Sequence, residues 1–484
     1  MARMYARIAP SYLHKHGQVA VATSFGNRRL SMQPQLTALS YRPDAVLDYF
    51  TPLAGQPWAM LLHSGNSSHP DSRYDIMVAA PAVTLVTRDG VTEICRGDDR
   101  EYRHDDPFAL VQQALAAASM TDLPNASLPF LGGALGYFGY DLARGIETLP
   151  ALAQQDVPLP EMAVGIYRWA VIADHHRHTV TLVSYDDPAP LLSRLTAVPP
   201  PTSAPFHLLG PWRANMSRAE YGEKFRQVQQ HLLAGDCYQV CLAQRFSAPC
   251  DGDEWPAFRH LLAHNRAPFS AFIRLGDQAV MSLSPERFLR LRTGEIQTRP
   301  IKGTLPRLAD ADADRQQATR LAASAKDQAE NLMIVDLLRN DIGRVAQPGS
   351  VRVPSLFAIE TFTAVHHMVS TITATLAADR TPCDLLRACF PGGSITGAPK
   401  VRAMEIIERL EPQRRSAWCG SIGYVSCGGT MDTNIAIRTL LVADQHIHCP
   451  VGGGLIADSD EEAEYQETLA KAASLLPLLE QLHA

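Results

Sequence analysis

Segments with the hydrophobic pattern of β-strands are mixed with helical segments along this chain, without a regular strand–helix–strand alternation. Strands are predicted at Trp58–Ser64, Pro81–Arg88, twice within Val164–Ser184, and at Tyr238–Phe246, Ala271–Leu275, Gly423–Ser426, Thr433–Val442 and His446–Cys449. Helices are predicted from Ser217 to Gly235 and over Arg315–Arg339, Ala398–Leu410 and Asp460–Leu482, the last bent near Pro477. Because parallel sheets need a long crossover between strands, the pattern predicts an α+β fold with large antiparallel sheets.

Two segments stand apart from this pattern. The N-terminal region carries several basic residues and no acidic residue before Asp44, a composition typical of a transit peptide or of a disordered extension. We favour the extension over residues 1–28, because the segment has no sustained amphipathic face. The proline-rich run from Val198 to Thr202 is typical of a linker or a long surface loop.

Composition excludes several classes of function. A net charge of −6 favours neither nucleic acid nor an anionic membrane as a partner. No apolar run approaches the ~20 residues that a membrane helix needs. The nine cysteines are scattered and contain no Cys-x-x-Cys pair. They indicate reduced thiols of a cytoplasmic protein rather than disulfides or a zinc site.

Two pairs of carboxylates have helical spacing. Asp327 and Glu330 are three residues apart, as are Glu464 and Glu467, so each pair lies on one face of its helix. Two such pairs, if they converged, would form an all-oxygen site that suits Mg²⁺. On spacing alone, two solvated helix faces are the alternative.

Two glycine-rich segments could contact a ligand through their backbone. Gly392–Lys400 resembles a phosphate-binding loop, but Ala398 stands where the Walker pattern requires lysine. Its backbone N–H groups and small hydroxyl residues, placed before a helix, would instead suit a carboxylate. Gly452–Gly454 lacks dinucleotide-binding spacing but would allow close approach of a ligand. Tight turns are the alternative for both segments.

Six short segments in this order resemble the chorismate-binding enzymes, which include anthranilate, aminodeoxychorismate, isochorismate and salicylate synthases. They are Ser284–Phe288, Arg299–Thr304, Ala329–Asp341, His366–Ser370, Pro391–Met404 and Ala463–Glu467. The resemblance extends from about residue 30 to the end. It divides the chain into an N-terminal part of the synthase fold, 29–200, and a chorismate-binding catalytic region, 206–484. It implies the large-subunit fold of anthranilate synthase, with two large antiparallel sheets packed face to face and helices outside.

The resemblance also implies roles for individual residues. Glu286 would be the general acid and base that protonates the departing 4-hydroxyl group of chorismate. Mg²⁺, held by Asp327, Glu330, Glu464 and Glu467, would bind the ring carboxylate. The remaining substrate contacts would come from Gly303, Thr304, His367, Ser394, Arg438, Gly452, Gly453, Gly454 and Lys471. A tryptophan-like pocket would be lined by Ser64, Asp71, Ser72, Arg73, Tyr74, Pro268, Phe269 and Ser270.

Lys302 distinguishes the subfamilies. By itself it would be interpreted as a surface lysine. In the family, alanine is typical of anthranilate synthases at this position, and lysine is typical of aminodeoxychorismate synthases. A lysine amine that attacks C2 of chorismate leaves C4 as the electrophile for ammonia, so the resemblance implies 4-amino-4-deoxychorismate as product. Anthranilate synthase component I, which acts in tryptophan biosynthesis, is the alternative.

The ammonia source is predicted to lie on another chain. The sequence contains no Gly-x-Cys-x-Gly nucleophile motif with a downstream His-x-Glu, so we expect a glutamine amidotransferase subunit as partner. The chain departs from its close relatives at Trp418, where tyrosine is frequent, and at Cys241, where asparagine is usual. The first departure leaves a substrate contact at Trp418 open.

Overall fold

The structure is a computed structural model that describes residues 33–483 apart from 66, 68, 124–126, 198–203 and 362–364. The predicted extension over residues 1–28 and the proline-rich run at 198–202 lie outside the described residues. Among the described residues, no helix is long and apolar enough to cross a membrane.

Strands and helices alternate irregularly along the described chain. The strands are β1 Gln35–Leu39, β2 Met60–His63, β3 Tyr74–Val78, β4 Val83–Arg88, β5 Val91–Arg96, β6 Asp99–Arg103, β7 Gly133–Phe138, β8 Met162–Tyr167, β9 Trp169–Asp174, β10 Thr179–Ser184, β11 His207–Leu208, β12 Arg213–Ala214, β13 Gln239–Asp251, β14 Phe269–Leu275, β15 Gln278–Ser284, β16 Arg287–Arg292, β17 Glu295–Thr298, β18 Ile301–Pro306, β19 Arg352–Thr361, β20 Val365–Thr375, β21 Gly397–Ala398, β22 Ser421–Ser426, β23 Met431–Asn434, β24 Thr439–Ala443 and β25 His446–Leu455. The helices are α1 Ala45–Phe50, α2 Pro107–Ala117, α3 Pro188–Leu195, α4 Arg218–Leu233, α5 Glu254–Asn265, α6 Ala311–Ala322, α7 Ala325–Gly343, α8 Pro382–Cys389, α9 Lys400–Leu410, α10 Glu461–Ala473 and α11 Leu476–Glu480.

The strands form two large antiparallel sheets. The first has the order β1-β10-β9-β3-β2-β14-β15-β24-β25-β13-β11, and β12 and β21 also pair with β13. The second has the order β18-β20-β17-β16-β23-β22-β7-β8-β4-β5-β6, and β19 also pairs with β20. Strands from before residue 200 and after residue 206 occur in both sheets, so the two parts of the chain share one fold.

The main hydrophobic core lies between the sheets. It joins Met60 and Ile76 of the first sheet to Leu85 and Leu135 of the second. A second core covers the outer face of the first sheet with side chains of α1, α5 and α11. The sheets therefore pack face to face with helices outside, which confirms the predicted α+β class.

The chain crosses between the sheets at two places where the sequence pattern predicted continuous strands. Val164–Ser184 contains three strands rather than two, and β8 lies in the second sheet whereas β9 lies in the first. Thr433–Val442 was predicted as one strand, but it divides into β23 of the second sheet and β24 of the first. The strands before and after each crossing are both buried. The apolar pattern therefore continues from one strand to the next, and the sequence does not show where the chain changes sheet.

Two predicted helices are each divided in two. The helix predicted at Arg315–Arg339 is broken between α6 and α7, where the Ser324 side chain accepts a hydrogen bond from the Asp327 backbone N–H and caps α7. The helix predicted at Asp460–Leu482 is broken between α10 and α11, and Pro477 lies in the first turn of α11 rather than at a bend. The prediction from Ser217 is confirmed, because Ser217 and Glu220 form a capping box at the start of α4.

Lys400, which ends the glycine-rich segment, serves the fold rather than a ligand. Its Nζ donates to Asp341 Oδ2 at 2.6 Å and to the Cys389 carbonyl at 2.9 Å. Among the described residues Asp341 has two ion-pair partners, Lys400 and Arg344, so replacing Lys400 by methionine would leave its fully buried carboxylate with the half-exposed Arg344 alone. We expect Lys400→Met to lower the free energy of unfolding by about 3–5 kcal/mol.

Urea denaturation would measure this loss. Arg339→Met is the matched control, because Arg339 makes an exposed ion pair with Asp336, and we expect it to cost less than about 1 kcal/mol. Equal effects of the two substitutions would contradict a structural role for Lys400.

Candidate active site

A cavity of about 680 Å³ opens where β13 and β25 of the first sheet face β18 of the second, with α7 and α10 at its sides. This size is typical of small-molecule sites. Every residue predicted for catalysis, substrate binding or metal binding lines it. They are Glu286, Lys302, Gly303, Thr304, Asp327, Glu330, His367, Ser394, Arg438, Gly452, Gly453, Gly454, Glu464, Glu467 and Lys471. The fold brings these residues together, and their individual roles stay predictions.

Glu286 lies in the short connection between β15 and β16. Its backbone N–H donates to Ser284 Oγ at 3.2 Å, and its carbonyl accepts from the Ile435 N–H at 3.0 Å. Burial raises the pKa of its carboxyl group to about 7, although a hydrogen bond to Ser394 and the charges of Lys302 and Lys471 act in the opposite direction. Glu286 can therefore carry a proton near neutral pH, as a general acid requires.

Lys302 lies on β18, at the end of the second sheet. The pairing of β18 with β20 is irregular between Lys302 and Thr304, and Gly303 takes a positive φ of 74° there. A side chain at position 303 would place its Cβ 2.9 Å from Asp327 Oδ1, so this turn requires glycine. Burial raises the pKa values of Glu286 and Glu330, and the charge of Lys302 opposes this rise in both, which places the amine among the carboxylates of the cavity.

His367 lies on β20, opposite β18. Its Nδ1 is 2.8 Å from Thr304 Oγ1. Burial, together with the charge of Arg438, lowers the pKa of His367 to about 4. The imidazole is therefore neutral at physiological pH and can hydrogen bond to an uncharged group of a ligand.

The predicted metal ligands come from α7 and α10. Glu464 Oε1 accepts from Ser459 Oγ at 2.7 Å, and Glu467 Oε1 is 2.6 Å from Lys471 Nζ. Burial raises the pKa values of Glu330 and Glu464, and repulsion between neighbouring carboxylates raises them further. A Cβ at Gly453 would lie 3.1 Å from Glu464 Oε2, so the absence of a side chain there leaves room beside the carboxylates.

These donors fit Mg²⁺ in their chemistry. All are carboxylates, which Mg²⁺ prefers, and a cation would offset the repulsion between Glu330 and Glu464. Within the described parts of the chain, no three His, Cys, Asp or Glu side chains are close enough to hold a metal as they stand. Lysines contact two of the carboxylates, since Lys326 Nζ lies 4.0 Å from Glu330 and Lys471 pairs with Glu467.

The cavity also contains residues that were not predicted as part of the site. Arg415 is buried and binds Glu411 through two nitrogens, at 2.8 and 2.6 Å, and the carbonyls of Ile395 and Cys241. Trp418 and Cys241, which the sequence identified only as departures from relatives, line the same wall. Nothing in the polar run around Arg415 distinguishes it from a surface arginine.

A second cavity of about 210 Å³ contains most of the predicted tryptophan-like pocket. Its lining includes Asp71, Arg73, Tyr74, Pro268, Phe269 and Ser270. Ser64 and Ser72 are buried and are not part of the lining of this cavity. Ser72 Oγ donates to the Ser64 carbonyl at 2.7 Å. The ligand of this cavity stays a prediction.

Asp71 connects the second cavity to the active-site segments. Its carboxylate pairs with Arg287 at 2.7 Å and with Arg299 at 3.3 Å. Arg287 directly follows Glu286 in the chain, and Arg299 precedes Lys302 by three residues. One carboxylate thus holds the backbone beside both predicted catalytic residues.

The sequence that builds both cavities matches the family described as chorismate binding enzyme over residues 60–477. The chain belongs to the chorismate-binding enzymes. The match includes strands of both sheets, so the relationship of this chorismate-binding enzyme to the family extends beyond the catalytic segments.

Two relatives are similar over nearly their full length. Aminodeoxychorismate synthase component 1 of Klebsiella aerogenes is 62% identical over 449 residues, which cover 93% of this chain and 100% of the relative. Aminodeoxychorismate synthase component 1 of Escherichia coli is 58% identical over 450 residues, which cover 93% and 99%.

The solved structures confirm the predicted fold. The crystal structure of anthranilate synthase component I from Streptococcus pneumoniae superimposes with a TM-score of 0.74 at 29% identity, and the alignment covers 84% of this chorismate-binding enzyme and 93% of that chain.

Proposed function

We propose that this chorismate-binding enzyme is the synthase component that converts chorismate and ammonia to 4-amino-4-deoxychorismate, a precursor of 4-aminobenzoate and folate. The main support for this proposal is that Lys302 lines the same cavity as Glu286, whose carboxyl group can be protonated near neutral pH. The names of the relatives at 62% and 58% identity support it. The lysine argues against the alternative, anthranilate synthase, in which alanine is typical at this position.

In the first step, Nζ of Lys302 forms a bond to C2 of chorismate. Both ring double bonds shift, from C1–C2 to C1–C6 and from C5–C6 to C4–C5, as the C–O bond at C4 breaks, and Glu286 gives its proton to the departing hydroxyl group, which leaves as water. The enzyme then holds the ring as a secondary ammonium adduct on Lys302, and Glu286 is a carboxylate.

In the second step, ammonia forms a bond to C4. Both double bonds shift back, the C2–N bond breaks, and Lys302 leaves as a neutral amine. The new C4 ammonium group loses a proton to Glu286, which restores the acid. The sum of the two steps is chorismate plus ammonia giving 4-amino-4-deoxychorismate plus water.

The other residues of the cavity would bind and orient chorismate. Arg438 and Lys471 supply positive charge for its carboxylates, and the backbone of Gly452–Gly454 supplies N–H groups without steric hindrance. Neutral His367 and Ser394 would face the ring. The Ser394 hydroxyl, which hydrogen bonds to Glu286, would also hold the acid in place.

We propose that Glu330, Glu464 and Glu467, with Asp327 nearby, hold Mg²⁺. When bound, Mg²⁺ would neutralise and fix the ring carboxylate of chorismate. The all-carboxylate donor set and the space beside Gly453 support this assignment.

Changing Glu330 or Glu467 to alanine should abolish turnover and Mg²⁺ binding measured by calorimetry. The free energy of unfolding should change by less than about 1 kcal/mol, because partly hydrated carboxylates contribute little to the fold. Glu462→Ala is the matched control, since Glu462 lies on α10 but pairs with Arg218 outside the cavity. Full activity of the native enzyme in excess chelator would refute the metal requirement.

We propose a glutamine amidotransferase subunit as the ammonia source. The designation "component 1" of the relatives implies a second component and supports a partner chain. Incubation of the chain alone with chorismate, Mg²⁺ and an ammonium salt tests the function. The 4-amino product should form, whereas glutamine alone should give none. Formation of anthranilate as the main product would favour the alternative.

A further inference from the structure

Arg415 lines the active-site cavity, but the two catalytic steps derived above do not use it. It forms an ion pair with Glu411, and the two side chains are only 2% and 6% exposed. A buried ion pair contributes little net stability, because both charges lose their hydration when they are buried. Stability alone therefore does not account for such a pair at the wall of the active site.

The guanidinium group of Arg415 is almost fully used within the protein. Nε donates to Glu411 Oε2 at 2.8 Å, and Nη2 donates to Glu411 Oε1 at 2.6 Å. Nη2 also donates to the Cys241 carbonyl at 3.1 Å, and Nη1 donates to the Ile395 carbonyl at 2.8 Å. These bonds leave about one N–H group free. Arg415 is therefore poorly placed to bind a carboxylate of chorismate, which takes two N–H groups on one edge of a guanidinium.

These bonds join three segments around the cavity. Cys241 lies on β13, Ile395 lies in the loop before β21, and Glu411 directly follows α9. Glu411 Oε1 also accepts from the Ala243 N–H of β13 at 2.9 Å. The guanidinium carbon lies 5.2 Å from the centroid of the Trp418 ring, which is within the range of a cation–π contact. The ion pair therefore fixes the loop, the strand and the Trp418 ring relative to one another.

Ser394 lies in the loop that this ion pair holds. The Ile395 carbonyl, which Arg415 binds, belongs to the residue directly after Ser394, and the Ser394 carbonyl accepts from Cys241 Sγ at 3.5 Å. Ser394 in turn hydrogen bonds through its side chain to Glu286. Such a bond needs a donor–acceptor distance of about 2.5–3.0 Å, so it depends on where the loop places the Ser394 hydroxyl group.

Several groups around Glu286 act on its carboxyl group. Burial raises the pKa of Glu286, whereas the hydrogen bond from Ser394 and the charges of Lys302 on β18 and Lys471 on α10 act in the opposite direction. The Cys419 thiol is also near, but burial raises its pKa, so it stays uncharged. A lysine in place of the arginine would keep the positive charge, so a shift in that variant would report the position of Ser394 rather than a lost charge.

We propose that Arg415 is a positioning residue of the active site, which holds the loop so that the Ser394 hydroxyl group hydrogen bonds to Glu286. The inference rests on the proposed function, because that function makes Glu286 the general acid. It adds to the residues that the reaction requires one that acts through Ser394 and not by contact with the substrate.

Arg415→Lys tests this role. A lysine ammonium can pair with Glu411, but it cannot also bind the carbonyls of Ile395 and Cys241 in the planar geometry of a guanidinium. The titration of Glu286 is followed in the free enzyme by infrared difference spectroscopy, through the carboxyl C=O band that is absent from Glu286→Gln. We expect the midpoint to rise by about 0.5–1 pH unit in Arg415→Lys, because a hydrogen bond to the charged form is lost.

Turnover with ammonium should show a matching change. We expect kcat of Arg415→Lys to fall by about 10- to 100-fold, because the acid is no longer held in one place. The KM for chorismate should change by less than about threefold, because Arg415 does not contact the substrate. A KM that rises while kcat is retained would assign Arg415 to substrate binding and refute the inference.

The double variant Arg415→Lys/Ser394→Ala shows whether Arg415 acts through Ser394. Without the serine hydroxyl group there is no hydrogen bond to misplace, so adding Arg415→Lys to Ser394→Ala should move the Glu286 midpoint by less than about 0.3 pH unit. Shifts that add in full would show that the two residues act independently, and would refute the inference.

Arg274→Lys is the matched control for the loss of a buried arginine. Arg274 is also buried, pairs with Glu254 and with Asp253 at 2.7 Å, and donates to the Ala54 carbonyl at 3.3 Å, but it does not line the large cavity. We expect urea denaturation to show a loss of stability in both variants, and the Glu286 midpoint to stay unchanged in Arg274→Lys. An unchanged midpoint in folded Arg415→Lys would make Arg415 purely structural and refute the inference.

Glu411→Gln keeps the test decisive if Arg415→Lys does not fold. Glutamine retains one acceptor oxygen for Arg415 but removes the charge and the second oxygen, which loosens the arginine. The Glu286 midpoint should rise in this variant too, and an unshifted midpoint in the folded protein would refute the inference.

The infrared titration does not depend on turnover, so it separates the inference from the proposed function. A wild-type chain that makes no 4-amino product from ammonium would refute the proposed function. A raised midpoint in Arg415→Lys that disappears in the double variant would still support the positioning of Ser394 by Arg415.

Discussion

The Lys302→Ala enzyme should form no covalent adduct with chorismate, and its 4-amino product should fall by at least about 10³-fold. Loss of the amine leaves C2 open to ammonia in a cavity that still holds Glu286 and the substrate contacts. Part of the remaining turnover should therefore shift to 2-amino-2-deoxyisochorismate or anthranilate. Chromatography with mass detection distinguishes these products.

Lys302→Arg separates the loss of the nucleophile from the loss of the positive charge. Guanidinium keeps the positive charge but stays protonated and cannot act as the nucleophile. We expect it to lose the adduct as the alanine variant does, without admitting ammonia to C2. An alanine variant that still makes only the 4-amino product at the wild-type rate would show that Lys302 is not the nucleophile.

Replacing Glu286 by glutamine should lower kcat by about 10²–10⁴-fold, the usual contribution of a general acid. Because burial raises the pKa of Glu286 to about 7, the protonated form predominates below that pH and is lost above it. Wild-type activity should thus decrease as the pH rises through about 7, and this decrease should be absent from the residual activity of Glu286→Gln. The same decrease in the variant would assign the titration to another group.

A substitution at Ser394 tests whether Glu286 is the group responsible for the decrease in activity with pH. Its hydrogen bond opposes the effect of burial on the pKa of Glu286. In Ser394→Ala the pKa should rise, and the decrease in activity should move to higher pH. An unchanged profile would contradict the contact between Ser394 and Glu286.

The sequence indicated which residues line the large cavity more completely than it indicated the course of the strands. Glu330, Glu464 and Glu467 belong to carboxylate pairs with helical spacing. Glu286 and Lys302 lie in short motifs that occur in a fixed order. Both patterns can be recognised in the sequence itself. The convergence of these residues from four separate parts of the fold could not be derived from spacing and came from the resemblance to the family. The structure places them around one cavity.

The features that could not be predicted from the sequence depend on contacts between residues distant in the chain. Periodicity reports which faces are buried but not which sheet a strand joins, so the crossings before Trp169 and after Asn434 were not visible. Lys400 and Arg415 are both buried by partners distant in the chain or by backbone carbonyls. A charged residue in a polar segment gives no local signal of such burial.

The most direct test of the central claim is mass spectrometry of the wild-type enzyme incubated with chorismate and Mg²⁺ without ammonia. We predict a substrate-derived mass on the peptide that contains Lys302, and we expect added ammonium to remove it with release of the 4-amino product. An unmodified Lys302 peptide, from enzyme that turns over when ammonium is supplied, would contradict it.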